Sequence, residues 1–186
     1  MTGDVNKWMN FDGINFLKKI GIREGMQVLD YGCGEGHYTI PLSKVVGNKG
    51  IVYALDKNPE VLKFVSTLIR EMKTDNIQLI KSDTTVPIND DSLDFALVYD
   101  VIHYVDRRDK IYREVKRVLK SRGIFSLYPK HNKNDYPLME LANISLKEII
   151  DEIEKFGFTL KETIDTTCLH DTYYNQCQIL NFFADK

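Results

Sequence analysis

The chain alternates short, nearly continuous apolar runs with longer segments in which apolar residues recur every three or four positions. The first pattern is typical of strands buried on both faces of a parallel sheet, and the second of amphipathic helices. Strand patterns are found at residues 26–31, 51–55, 77–81, 93–99 and 123–128. Helix patterns are found at residues 12–20, from Gly36 to about 46, and at 59–72, 107–120 and 145–156. This alternation predicts an α/β fold with a parallel sheet.

The two ends of the chain add elements outside this alternation. Near the N-terminus, Asp12 is predicted to cap a short helix that ends at Ile20, before Gly21. Near the C-terminus, residues 159–165 and 174–183 alternate between apolar and polar positions. We expect these segments to form an antiparallel hairpin at the edge of the sheet, with a loop of about seven or eight residues.

One glycine-rich turn carries the most information about function. Residues 28–36 read Val-Leu-Asp-Tyr-Gly-Cys-Gly-Glu-Gly, and Asp56 closes the next apolar run. Glycines let the backbone turn sharply and let a ligand approach closely, and a carboxylate after the second strand can accept hydrogen bonds from ribose hydroxyls. His37 occupies the position of the third glycine in a dinucleotide fingerprint, so an NAD-dependent oxidoreductase is the less favoured alternative.

Four motifs in register resemble those of the class I S-adenosylmethionine-dependent methyltransferases, most closely the small-molecule branch that includes quinone-biosynthesis-like enzymes. These four are residues 52–56, Ser82-Asp83, residues 87–94, and residues 113–120 before Gly123, and they follow the glycine turn, which itself looks like the first motif of this family. The resemblance covers about residues 14–165. It implies a Rossmann-like, doubly wound, seven-stranded and mostly parallel sheet with a C-terminal antiparallel hairpin, and it implies S-adenosyl-L-methionine as cofactor.

The resemblance also implies which residues bind the cofactor. Gly32 and Gly34 would lie under its methionine part, with backbone N–H groups facing its carboxylate, and Asp56 would bind the ribose. Asp83 and the N–H of Thr84 would meet the adenine. Asp30 would orient the turn or meet the ammonium group. The full set of expected cofactor-binding residues is Asp30, Gly32, Cys33, Gly34, Asp56, Lys57, Asp83, Thr84 and Tyr99.

Methyl transfer from a sulfonium is an in-line displacement with a good leaving group, so holding the reactants in line can suffice. A base is needed only where the acceptor arrives protonated. Candidates for that base are His103, His131, His37 and Asp100. His103 follows the fourth strand and is the candidate catalytic residue, although a role in shaping its loop is the alternative.

The acceptor is expected to be a small molecule. The Asn/Asp-Pro-Pro-Tyr/Phe sequence of nucleic-acid amino-methylases is replaced here by Tyr99-Asp100-Val101-Ile102. Carboxylates for a metal-dependent mechanism do not follow the fifth strand, which ends in Tyr128-Pro129-Lys130. We expect the acceptor pocket to use aromatic and neighbouring residues of three segments: Trp8, Met9 and Phe11; residues 131–141; and His170, Tyr173 and Tyr174.

Composition supports an ordinary globular protein. Charged residues make up 28% of the 186 residues, with a net charge of −2, which gives no electrostatic footprint for nucleic acid or an anionic membrane. The three cysteines lack the spacing of a disulfide framework or zinc site. With no apolar run long enough for a membrane span and no signal peptide, we expect a cytoplasmic protein, for which a homo-oligomer is possible.

We expect residues 1–186 to form a single methyltransferase domain, with residues 1–25 as an N-terminal helical lid segment. The expected function is transfer of a methyl group from S-adenosylmethionine to a small-molecule acceptor. The alternative of a different class is a module that binds S-adenosylmethionine without catalysis, since no acid, base or acceptor motif identifies itself from the sequence.

Overall fold

A computed structural model of the protein describes residues 2–186. The described residues divide into two compact units, one formed by residues 2–83 and 167–176 and the other by residues 84–166 and 177–186. Residue 1 lies outside the described residues.

The first unit contains three parallel strands in the order β3-β2-β1. The register pairs Tyr31 with Leu55 and Asp56 with Lys81, so the carboxyl ends of the three strands share one edge. Asn58 caps the helix that follows β2, and Pro59 stands at its first position, where the helix pattern at residues 59–72 was predicted to begin. The elements are α1 (Gly3–Lys7), α2 (Gly13–Ile20), β1 (Gln27–Tyr31), α3 (Thr39–Val46), β2 (Ile51–Asp56), α4 (Pro59–Met72) and β3 (Ile77–Lys81).

The prediction that Asp12 caps the N-terminal helix is wrong. Helical structure begins at Gly3, capped by the Thr2 side chain, and continues through a π-helical turn at Trp8–Asp12 into α2. Asp12 therefore has helical backbone angles, and its carboxylate accepts a hydrogen bond from the Tyr174 hydroxyl at 2.7 Å. The tertiary partner of this side chain is 162 residues away, beyond the reach of a local pattern.

The second unit contains β4, β5 and the larger parts of β6 and β7, whose residues 167–170 and 173–176 belong to the first unit. The order of these four strands is β4-β5-β7-β6. Strands β4 and β5 are parallel with Tyr99 opposite Tyr128, and β7 runs antiparallel to β5. Ser145 and Glu148 form a capping box at the start of the last helix, where the helix pattern at residues 145–156 was predicted to begin. The elements are β4 (Leu93–Tyr99), α5 (Arg108–Val118), β5 (Leu119–Tyr128), α6 (Leu146–Glu154), β6 (Phe158–His170) and β7 (Tyr173–Ala184).

The C-terminal hairpin is longer and its loop shorter than predicted. Strands β6 and β7 extend to His170 and from Tyr173, so that only Asp171 and Thr172 connect them. Asp171 takes a positive φ of 52°, as tight two-residue turns require. Residues 168–170 are buried, which explains why this segment is strand rather than loop.

The cysteines also differ from the expectation. Cys168 and Cys177, one on each strand of the hairpin, are disulfide-bonded. Cys33 is free and buried. The positions of hairpin cysteines depend on strand register, which the spacing of cysteines along the sequence does not reveal.

The predicted fold class is confirmed. The seven strands belong to one mixed sheet that is mostly parallel and carries the antiparallel hairpin at its C-terminal part. The most buried strand is β4, in which every residue but Asp94 is buried, as the continuous apolar run predicted.

Candidate functional site

The first unit brings Asp56 to the glycine turn. The Gly34 N–H donates to Asp56 Oδ2 at 3.0 Å, and the Asn58 N–H donates to Asp56 Oδ1 at 2.8 Å. These two bonds fix the plane of the carboxylate at the end of β2. A carboxylate has about four acceptor positions, so two backbone donors leave capacity for further donors such as ribose hydroxyls.

Gly34 leaves open space beside this carboxylate. Its φ is +49°, and a Cβ built there would meet no atom within 4 Å. The neighbouring Gly36 differs, because its Cβ would lie 3.2 Å from Val65 of α4. Gly36 therefore permits close packing of the turn on a helix, whereas Gly34 has room beside its backbone for a ligand, within hydrogen-bonding reach of Asp56. This geometry fits an adenosine-type cofactor.

The backbone N–H groups of the turn are largely used within the protein, which differs from the expectation that they face a carboxylate. Gly32 and Cys33 both donate to the Leu55 carbonyl, at 2.8 and 2.9 Å, and Gly36 donates to Cys33. Helix α3 begins only at Thr39. The turn is thus locked onto β2, and this lock holds Gly34 next to Asp56.

Asp30 lies in β1 and orients the start of α3. Its side chain is buried, and Oδ2 accepts a hydrogen bond from the Thr39 hydroxyl at 2.6 Å. Burial raises the pKa of Asp30 to about 6 in spite of this hydrogen bond, and the negative charge of Asp56 raises it further. Asp30 therefore stabilises the segment that follows the glycine turn through its hydrogen bond with Thr39.

The Cys33 side chain packs into an apolar cluster with Ala54 and Leu62. Burial, with the nearby carboxylates of Asp30 and Asp56, raises the pKa of its thiol. The thiol thus stays protonated and acts as a small apolar group.

The remaining expected cofactor residues of the first unit follow the ends of β2 and β3. Lys57 and Asp83 are exposed there, and the Asp83 carbonyl accepts a hydrogen bond from the Tyr31 hydroxyl at 2.8 Å. This bond links the loop after β3 to the last residue of β1. Thr84, the first residue of the second unit, is half-buried.

In the second unit, Tyr99 ends β4 with its ring buried. Its hydroxyl shares a 2.7 Å hydrogen bond with the Ser126 hydroxyl of β5, and its ring meets the edge of Tyr128 at a centroid distance of 6.3 Å. This pairing ties the carboxyl ends of β4 and β5 together.

His103 and His131 come together at this same edge. They follow the ends of β4 and β5, are both buried, and their ring centroids lie 4.7 Å apart. His131 Nδ1 lies 3.0 Å from the Tyr136 carbonyl oxygen, which assigns the proton to Nδ1 in the neutral ring. Asp100 and His131 both have positive φ, 57° and 67°, an uncommon conformation for these residues. One feature of the sequence indicates that these two histidines lie close together, because each follows the carboxyl end of a parallel strand.

His37, another candidate base, belongs to the packing of the first unit. Its carbonyl accepts a hydrogen bond from Trp8 Nε1 at 3.0 Å, and desolvation lowers the pKa of its imidazole, with Glu35 opposing that change. The Trp8 ring contacts Tyr38 at 5.3 Å and Tyr174 at 6.2 Å between centroids. Trp8 and Tyr174, expected to line the acceptor pocket, are thus part of an aromatic cluster in this unit.

Comparison with known proteins identifies the class. Residues 22–180 match the model of a methyltransferase domain family, so the chain belongs to that family. This confirms the family assignment made from the four motifs.

Individual relatives agree with this assignment. The chain is 34% identical over 123 residues to a demethylmenaquinone methyltransferase of Lactobacillus johnsonii, a match that covers 65% of this chain and 49% of that protein. A demethylmenaquinone methyltransferase of Staphylococcus aureus is 33% identical over 58% of this chain and 44% of that protein. The chain thus spans about half the length of the curated relatives it matches. A SAM-dependent methyltransferase from Aquifex aeolicus superposes with a TM-score of 0.78 and 27% identity, covering 96% of this chain and 93% of that one.

Residues 2–186 contain neither a membrane-spanning helix nor a cluster of metal-binding side chains. No helix in that range is long and apolar enough to cross a membrane. No group of three or more histidine, cysteine, aspartate or glutamate side chains in it is arranged to hold a metal ion.

Proposed function

We propose that this chain transfers the methyl group of S-adenosylmethionine to a small-molecule acceptor by in-line displacement. The single observation that carries the proposal is the Asp56 carboxylate, held by the Gly34 and Asn58 N–H groups beside the open face of Gly34. This arrangement offers hydrogen-bond acceptors for ribose hydroxyls next to a backbone without a side chain. Membership of a methyltransferase domain family supports the same cofactor.

The expected cofactor residues have separate roles in this proposal. Asp56 binds the ribose, Gly32 and Gly34 admit the methionine part, and Asp83 with the Thr84 N–H meets the adenine. Asp30 and Cys33 hold the turn from beneath, since Asp30 binds Thr39 and Cys33 packs with Ala54. Lys57 contributes its alkyl stem beside the adenine, and Tyr99 stands at the end of β4 toward the acceptor.

When bound, the cofactor supplies an electrophilic methyl group on a positively charged sulfur. The protein then has to hold the acceptor in line, exclude water and, for a protonated acceptor, remove a proton. We infer that His131 takes that proton. With Nδ1 donating to the Tyr136 carbonyl, Nε2 carries the lone pair of the neutral ring. His103 packs against His131 and positions it.

The acceptor class that fits is a planar ring with an ionisable hydroxyl or an activated C–H. The similarity to demethylmenaquinone methyltransferases favours a quinol-like ring. Exposed aromatic residues near the histidine pair, Tyr104 and Tyr136, provide apolar surface at this edge.

We also propose that residues 1–186 work as one methyltransferase domain with residues 1–25 as its lid segment. In support, Trp8 binds the His37 carbonyl and Lys44 binds the Met9 carbonyl at 2.9 Å. These bonds join the N-terminal segment to the region that follows the glycine turn.

The test has a binding step and a turnover step. Calorimetric titration with S-adenosylhomocysteine, with NADH as control, should show binding of the first ligand alone. The protein is then incubated with S-adenosylmethionine and a panel of hydroquinones and phenols. Mass spectrometry should find one S-adenosylhomocysteine for each methylated acceptor. Binding without turnover across the panel would point to a binding module, and binding of NADH alone would refute the proposal.

A further inference from the structure

A basic cavity lies in the second unit. Its volume is about 380 Å³, which is within the range of small-molecule sites. Five cationic side chains and one aromatic ring line it, and no acidic side chain does. The lining residues are Arg113, Lys116, Arg117, Lys155, Phe156 and Lys186.

The cavity lies at the far end of β5 from the histidine pair. Arg113, Lys116 and Arg117 belong to the last turns of α5, which leads directly into Leu119, the first residue of β5. His131 follows Tyr128, the last residue of the same strand. The cavity is therefore separate from the proposed acceptor edge.

Two of the five cations are neutralised by acids. Arg117 binds Glu114 at 2.9 Å and Asp90 at 2.6 Å, and it also donates to the Val86 carbonyl at 2.6 Å. Lys186 forms an ion pair with Asp91. These bonds hold both side chains in place as walls of the cavity.

The positive charges of the other three cations are compensated less by carboxylates, so they can attract an anionic ligand. Lys116 is half-buried, and its ammonium group donates to the carbonyl oxygens of Gly157 and Asp185, which are neutral acceptors. Burial lowers the pKa of Lys116, although the Asp185 charge opposes this change. Lys155 is exposed beside it.

Arg113 completes this group. Its guanidinium lies 5.0 Å from the centre of the Phe156 ring, which keeps it over the cavity wall. The Asp109 carboxylate lies 3.9 Å from Arg113 Nε and already binds Arg107 through both oxygens. Arg113 is therefore weakly compensated.

We propose that this cavity binds an oligophosphate anion. Several cations around one cavity, one of them desolvated with carbonyl partners, match a ligand with several negative charges and many acceptor oxygens. The oligophosphate could be inorganic or the tail of a nucleotide, and the Phe156 ring would add contact area for a base in the second case.

The experiment is a calorimetric titration of the full chain with sodium tripolyphosphate and with ATP at fixed low ionic strength, with sulfate as the control anion. The variant is Arg113→Gln with Lys155→Gln, two exposed positions whose replacement should leave the fold intact. The matched control is Lys63→Gln with Arg70→Gln, which removes the same charge from α4. We expect tripolyphosphate affinity to fall at least about tenfold in the first variant and to change little in the control.

Each outcome decides a point. Equal affinity for tripolyphosphate and ATP would indicate that the phosphates alone are recognised, and tighter binding of ATP would assign a nucleotide. Absence of tripolyphosphate binding, or an equal loss in both double variants, would overturn the proposal. S-adenosylhomocysteine affinity should be the same in the wild-type protein and in both double variants, so this test stands apart from that of the methyltransferase function.

Discussion

The edge of the first unit at β2 and the edge of the second unit at β4 and β5 are built in different ways. At Asp56, backbone N–H groups from a continuous motif hold the carboxylate. At His103 and His131, side chains from two segments 28 positions apart meet through ring packing and one hydrogen bond to a carbonyl. The first arrangement suits a constant ligand such as a cofactor, because backbone positions change little with side-chain substitution. The second suits an acceptor, because single substitutions can reshape it.

The largest expected effect is on turnover, from a change in the histidine pair His103 and His131. His131→Gln should lower kcat by about 10²- to 10⁴-fold for an acceptor that must lose a proton, because the base is gone. S-adenosylhomocysteine affinity should stay at the wild-type value. The measurement is kcat with the same acceptor for the wild-type protein and the variant, at one fixed pH.

Two further variants sharpen this result. Tyr136→Phe keeps the carbonyl that accepts from His131 and should retain activity, since the Tyr136 side chain is 75% exposed. His103→Asn should have a smaller effect than His131→Gln if His103 only positions its neighbour. A full kcat in folded His131→Gln protein would remove the histidine from the mechanism.

The second largest effect is expected on cofactor affinity, from a change in Asp56 beside the glycine turn. Asp56→Ala should weaken S-adenosylhomocysteine binding by about 1.5–3 kcal/mol, roughly 10- to 150-fold, because charge-assisted hydrogen bonds to the ribose are lost. Calorimetry measures the change, with Asp75→Ala, an exposed aspartate before β3, as control. Unchanged affinity in Asp56→Ala would refute the ribose assignment.

Asp30 makes the free energy of unfolding of the protein depend on pH. Its pKa is raised from 3.8 to about 6 in the folded protein, so protonation favours folding. The resulting stabilisation is fully present below the unfolded pKa and is lost as pH rises through about 6.

Asp30→Asn tests this linkage. Denaturant unfolding at pH 4.5 and pH 8 should show that the variant gains stability relative to wild type at pH 8 by about 1–3 kcal/mol more than at pH 4.5. Asp75→Asn serves as the exposed control. An identical pH dependence in Asp30→Asn and wild type would contradict the raised pKa.

The smallest effect is expected from a change outside both regions, the one at Asp56 and the one at the histidine pair. Ser145→Ala removes the capping box at the start of α6 and should cost about 1 kcal/mol of stability. Cofactor affinity and kcat should not change, which makes this variant a reference for pure destabilisation. Thermal unfolding and a single activity assay are sufficient to check it.

Local patterns in the sequence determined most of the strands and helices, the turn at residues 32–36 and the pairing of that turn with Asp56. These features depend on short-range periodicity, caps and glycines, and on the regular return of a βαβ unit to the same sheet edge. The limits of α4, β3 and β4 agree with those predicted, because strong caps or continuous apolar runs mark them.

Only the tertiary structure decided which distant side chains meet. In the folded protein, Asp12 accepts a hydrogen bond from Tyr174 instead of capping a helix. The hairpin extends through buried residues, and Trp8 packs in an aromatic cluster. His131 also packs against His103. Such contacts join residues that are far apart along the chain, and they depend on how several elements pack at once. A local pattern carries no record of that packing, because the same hydrophobic period is compatible with many partners.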